Sequence, residues 1–282
     1  VNTPAIEAAY AHCEQLARSH YENFPVASWL LPRALRRPIA VIYAFARTAD
    51  DFADEGERSE EERLALLAGY TEKLHAMARS EAGDDPVFIA LADVIEQHQL
   101  PLQLFHDLLS AFAQDVTKRR YSDFAELLDY CRRSANPVGR LLLHLSGNDS
   151  EENLQLSDSI CSALQLINFY QDLAQDFDEN GRIYLPQDEL ARFGVIPDHF
   201  ARRSDAEEMV ALMRFQVARA REMMEQGAPL GRRLRGRFGL EIRFIIAGGL
   251  AVIERLEQCV ADPFTRPRLR KGDWLRALWG AL

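Results

Sequence analysis

Apolar residues recur at intervals of three and four along most of this chain, and no convincing run alternates apolar and polar residues as a half-buried strand would. The pattern predicts an all-α protein. Thr3-Pro4 opens a helix to about Ser19, and Pro38 opens another through Ile39, Tyr43, Ala46 and Asp50. Ser59 with Glu62 is a capping pair that introduces a helix to about Arg79, and Asp123 with Glu126 introduces one through Leu128 and Cys131. Pro86 and Pro101 punctuate two more, the second carrying Leu104, Leu108, Phe112 and Asp115. A long helix from about Asn153 to Phe177 stops near Asn180-Gly181. After a turn at Tyr184-Leu185-Pro186 and a short segment through Phe193, long helices run from about Asp205 to Gln226 and from Leu240 to Gln258. With no linker and no tandem repeat, residues 1–282 read as a single helical-bundle domain around a central apolar cavity, with ligand groups projecting inward from facing helices.

Composition narrows the partners. At 48% hydrophobic residues the chain has ample material for a core. The net charge of −10 is unevenly spread: residues 212–282 carry +7 and residues 1–211 carry −17. The acidic majority argues against nucleic acid. Four scattered cysteines form no C-x-x-C pair, so reduced thiols and a cytoplasmic location are expected. The longest apolar helical run, Phe244 to Ile253, is too short to cross a bilayer. The basic C-terminal segment 263–282 is different, because Arg266, Arg268, Arg270 and Lys271 precede Trp274, Leu275, Leu278, Trp279 and Leu282. That pattern suits either peripheral contact with an anionic inner-membrane surface or, more commonly, a terminal helix packed on its own domain.

Two acidic stretches carry the chemistry. Asp50 and Asp54 stand four residues apart, as do Asn168, Asp172 and Asp176, so each set shares a helix face. Clustered anions repel unless a cation sits among them, and oxygen-only ligands favour Mg²⁺, which ordinarily also takes substrate phosphates. The pair of motifs therefore reads as a two-sided clamp for a diphosphate ester. Arg47, three residues before Asp50, can turn its guanidinium to the same place and bind a phosphate oxygen. Two rival readings are weaker. Asp176-x-Asp178-x-Asn180-Gly181 begins like an EF-hand loop, but its twelfth position is Gln187, where a bidentate Glu is needed. Glu72-x-x-His75 has the spacing of a di-iron ligand pair but lacks the companion motifs, and reads as a solvated helix face.

Four stretches together resemble the squalene/phytoene synthase family, in particular its bacterial hydroxysqualene synthase branch in hopanoid biosynthesis: Tyr21 to Ser28, Tyr43 to Asp54, Tyr130 to Arg140, and Asn168 to Pro186. The similarity runs from about Tyr21 to Arg270. It implies an all-α isoprenoid synthase fold, with Asp50 and Asp54 on one wall and Asn168, Asp172 and Asp176 on the other as catalytic groups and Mg²⁺ ligands. The resemblance further implies that presqualene diphosphate is ionised, rearranged and captured by water to give hydroxysqualene, with Mg²⁺ as cofactor and no NADPH. Presqualene diphosphate/squalene synthase and phytoene synthase are the alternatives within the family, and a non-catalytic Mg²⁺/lipid-diphosphate binding protein is the alternative outside it. Tyr43, Phe24, Phe45 and Tyr130 are candidate walls of the carbocation chamber, although each can equally be an ordinary core aromatic. Arg266 and Arg268 are candidate late phosphate contacts. The chain departs from the family at Gln171, where most members have an arginine, and near Val252, where a tyrosine is usual. A site with one positive charge fewer suits one diphosphate better than two. The oligomeric state is not encoded in any of these features.

Overall fold

The computed structural model describes residues 3–19, 31–79, 81, 83–269 and 272. Its regular structure is helical, with no strand among the described residues. The first helices are α1 (Thr3–Ser19), α2 (Arg33–Asp54), α3 (Glu60–Ala78), α4 (Pro86–His98), α5 (Leu102–Thr117), α6 (Phe124–Ser134) and α7 (Asn136–Leu145). They are followed by α8 (Glu151–Gln171), α9 (Leu173–Asn180), α10 (Gln187–Phe193), α11 (Pro197–Ala201), α12 (Glu207–Gly227), α13 (Leu230–Arg233) and α14 (Gly236–Cys259). Two compact units result, Val1–Thr117 with Arg140–Asp149 and Lys118–Gly139 with Ser150–Leu282. No linker marks the division in the sequence, because one of the passages between units falls inside α7.

In the first unit α2 packs against α1, α3, α4 and α5. Its buried stripe of Leu35, Ile39, Ile42, Phe45, Ala49 and Ala53 follows helical spacing, which leaves Asp50 and Asp54 off the core face. Pro38 does not open this helix as expected. It lies inside α2, buried, while Pro32 occupies the N-cap position. The Ser59–Glu62 capping box that starts α3 is complete, with both reciprocal backbone bonds made. Arg63 of α3 then reaches back to α2, donating from Nη1 to the Ala53 carbonyl at 2.6 Å and from Nη2 to the Gly56 carbonyl at 2.8 Å. These bonds satisfy acceptors that a helix C-terminus leaves open, and they fix the end of α2 at the acidic motif.

The second unit is built on α8, α12 and α14, with α10 against α12 and α6 against α8. Gly227 lets the end of α12 close on α8: a Cβ there would lie 2.5 Å from Ile160 Cγ1 and 2.7 Å from the Leu156 carbonyl oxygen. The single long helix expected to Phe177 is interrupted. Asp172, at φ −101° and ψ 15°, separates α8 from α9. The Asp172 N–H still bonds Asn168 O at 2.9 Å and the Asp176 N–H bonds Asp172 O at 2.8 Å, so the interruption is a change of direction rather than a loop. Gly181, with φ at 60°, then ends α9 in the left-handed conformation that favours glycine.

Candidate active site

The first acidic motif lies at the C-terminus of α2, where the backbone dipole adds negative charge to carboxylates that already repel each other, and the second spans the junction from the end of α8 to the first turn of α9. Each has acquired an arginine. In the first, Arg47 binds Asp50 (Nη1–Oδ2, 3.1 Å) and Asp51 (Nη2–Oδ1, 2.6 Å) and also contacts Glu55. Burial, then repulsion from Asp54, outweighs Arg47 and pushes the Asp50 carboxyl up to about 6. Tyr43 stands one turn before Arg47, half-buried, and burial raises its hydroxyl above the ordinary range, opposed by Arg47. Asp54 is exposed. The first unit thus assembles Tyr43, Arg47, Asp50 and Asp54 on adjoining turns, together with Asp51 and Glu55, whose part lies in their contacts with Arg47.

In the second motif Asn168 is exposed on α8, Asp172 occupies the break, and Asp176 lies in the first turn of α9. Arg266 forks onto Asp172, with Nε 2.7 Å from Oδ1 and Nη2 3.2 Å from Oδ2. Burial raises the Asp172 carboxyl above its usual range against the opposing pull of Arg266. Gln171 donates from Nε2 to the Pro267 carbonyl at 3.1 Å. Gln171 and Asp172 therefore hold one short segment, 266–267, between them. Arg266 is paired with an acid rather than waiting for phosphate, and Arg268 is exposed.

The aromatic candidates divide. Phe45 is fully buried, ringed by Tyr70 at 5.2 Å, Phe105 at 5.3 Å and Phe88 at 5.9 Å between centroids. With every side of the ring occupied by protein, it is a core residue rather than a chamber wall. Tyr130 is also buried, within a cluster of Tyr121, Tyr184 and Phe169, the last two stacked at 3.7 Å. That cluster forms because residues 119–122 accept backbone hydrogen bonds from Ile183, Gln187 and Asp188. No sequence spacing signals it. Phe24 and the Tyr21–Ser28 stretch lie outside the described residues, as do Arg270, Lys271 and the tryptophan-bearing end of segment 263–282. The rival motifs behave as the sequence suggested. Asp176 to Asn180 is helical, not an ion-binding loop, with Asp178 paired to Arg203. Glu72 and His75 sit on an exposed face.

Among the described residues, no three acidic, histidine or cysteine side chains stand together as a metal cage. The donor chemistry nevertheless fits Mg²⁺, which is usually held by one or two carboxylates plus water and substrate phosphates rather than by an all-protein site. Each motif is of that incomplete kind, and the Asp50 carboxyl is raised first by burial and then by repulsion from Asp54.

Residues 17–274 match the family model for squalene/phytoene synthase. The hydroxysqualene synthase of Rhodopseudomonas palustris is 33% identical over 263 residues, covering 93% of this chain and 88% of that protein. The phytoene synthase of Mycobacterium tuberculosis is 35% identical over 228 residues, covering 80% and 74% respectively. Among solved structures, squalene synthase HpnC from Alicyclobacillus acidocaldarius superimposes with a TM-score of 0.86 at 35% identity, over 93% of this chain and 98% of that one. A dehydrosqualene synthase crystallised with a ligand shares the fold, with a TM-score of 0.82 at 22% identity over 99% of this chain and 96% of that one.

Proposed function

Because this chain belongs to the squalene/phytoene synthase family, a family of isoprenoid synthases, we propose that it converts presqualene diphosphate into hydroxysqualene. The observation that carries the reading is a pair of oxygen-ligand motifs, each contacted by one arginine, in a chain whose relatives over most of its length include hydroxysqualene synthases. When bound, Mg²⁺ supplies the positive charge that stabilises diphosphate as it departs. The protein's share is to hold that charge ready. Asp50 and Asp54 in one motif, and Asn168, Asp172 and Asp176 in the other, offer oxygen ligands without His or Cys competitors. Arg47 pairs with Asp50 and Asp51, and Arg266 with Asp172, before substrate arrives. Once released from them, each guanidinium can direct N–H donors at diphosphate oxygens, a charge-assisted contact about twice as strong as a neutral one. The substrate C–O bond breaks with both electrons leaving on diphosphate. The cation rearranges, water adds to it, and loss of one proton gives the alcohol.

Incubation of purified protein and Mg²⁺ with presqualene diphosphate or farnesyl diphosphate, with and without NADPH, tests the reading by product mass. Hydroxysqualene from presqualene diphosphate alone, independent of NADPH, is the expected result. Turnover of farnesyl diphosphate would instead favour head-to-head condensation, the second reading, which the phytoene synthase relative at 35% identity supports. Absence of pyrophosphate release from every substrate would leave only a binding protein.

A further inference from the structure

Beneath the second acidic motif lies a polar network that the proposed chemistry does not touch. The Tyr170 hydroxyl donates to Gln216 Oε1 at 3.1 Å, and Gln216 Nε2 donates to Glu189 Oε2 at 2.6 Å. Arg219 closes the network with a fork onto Glu189, Nη1 to Oε1 at 2.6 Å and Nη2 to Oε2 at 2.8 Å, and with a bond to Gln216 Oε1. Its guanidinium lies 3.6 Å above the Phe124 ring. Four helices meet here: α6 through Phe124, α8 through Tyr170, α10 through Glu189, and α12 through Gln216 and Arg219. Tyr170, Gln216 and Glu189 are all buried. Burial alone would raise the Glu189 carboxyl, yet its bonds to Arg219 and Gln216 prevail and hold it below the usual range.

A buried ion pair adds little stability over well-packed apolar side chains, and the best-attested gain from one is a fixed arrangement. The arrangement fixed here is the last turn of α8. Tyr170 is two residues from both Asn168 and Asp172, so on a helix it points roughly 200° away from each of them. Asn168 is exposed while Tyr170 is buried. The α8 ladder is interrupted where Asp172 changes direction, and helix ends are where backbone order is weakest. Tyr170 is that restraint on the inner side, as the Gln171–Pro267 bond is beside it.

We propose that Tyr170, held by Gln216, Glu189 and Arg219, is a positioning residue that fixes the direction in which Asn168 and Asp172 present their oxygens to Mg²⁺-diphosphate. The inference rests on the functional reading above and extends it to residues that contact neither metal nor substrate. Four variants test it: Tyr170→Phe, Gln216→Glu, the exchange Glu189→Gln/Gln216→Glu, and Ile246→Val as a control in the same unit's core. Two quantities are read for each, the Mg²⁺ concentration for half-maximal turnover and the rise in melting temperature produced by Mg²⁺ with inorganic pyrophosphate. Tyr170→Phe is expected to raise the half-saturating Mg²⁺ about fivefold, the equivalent of one hydrogen bond, and to shrink the thermal rise. Gln216→Glu sets two carboxylates against each other and is expected to do worse. The exchange restores a donor facing an acceptor and is expected to recover most of the loss, whereas Ile246→Val leaves the half-saturation unchanged. Wild-type values in Tyr170→Phe, or an equal shift in the control, would overturn the proposal alone. A wild-type protein with no Mg²⁺-pyrophosphate response would instead overturn the functional reading and this inference with it.

Discussion

Replacing Asp50 with Asn is expected to stabilise the metal-free protein at pH 8 while removing its activity. The carboxyl stands at about 6 instead of 3.8, chiefly because it is partly buried near the end of α2 and next because Asp54 repels it. The folded protein therefore holds this proton more tightly than the unfolded chain does, and ionisation of Asp50 works against folding. The loss of stability is absent below the unfolded value near 3.8, grows as pH rises, and is complete above about 6. At 1.36 kcal/mol per pH unit the gap corresponds to ~3 kcal/mol. The Asp50 side chain is 39% exposed, so solvent screening reduces the expected gain to about 1 kcal/mol. Asn keeps the shape and discards the charge. Urea denaturation with EDTA should show Asp50→Asn more stable by that amount at pH 8, with the difference vanishing near pH 4. Equal or lower stability of the variant at pH 8, or a gain that persists undiminished to pH 4, would refute the electrostatic account of this site.

Phe45→Ala should cost about 3–5 kcal/mol in chemical denaturation, the range for emptying an aromatic core position; a small loss with an altered product profile would instead make Phe45 a chamber wall. Arg266→Gln removes the cation that opposes the effect of burial on Asp172. Asp172 then gives up its proton only at higher pH, so the acid limb of the kcat/KM profile should move upward. Gly227→Ala places a methyl 2.5 Å from Ile160 Cγ1 and should lower the melting temperature, overpacking of this kind costing about 1–3 kcal/mol.

What could be read from the chain alone follows the range of each interaction. The Ser59–Glu62 box and the stop at Gly181 are local consequences of helical geometry, and both were legible. Pro38 misled because a proline start signal is ambiguous wherever a second proline, here Pro32, lies a few residues upstream. The break at Asp172 was invisible because apolar periodicity continues through it into Leu173 and Phe177. The Tyr121–Tyr130–Phe169–Tyr184 cluster and the Glu189–Arg219 pair each join residues distant in sequence, and no spacing rule reaches that far.

The two motifs differ in the same respect, and the difference bears on how each responds to change. Arg47 is tied to Asp50 and Asp51 by three- and four-residue spacing on one helix, so any sequence that forms α2 brings these charges together. Asp172 depends on an arginine 94 positions later. That contact requires the chain to return after α14, to seat Pro263 and Pro267 in buried positions, and to accept the Gln171 amide at the Pro267 carbonyl. Charge balance at the first motif is thus a property of secondary structure, whereas at the second it is a property of tertiary docking. Substitutions that loosen residues 263–267 should raise the Asp172 carboxyl and leave Asp50 unchanged.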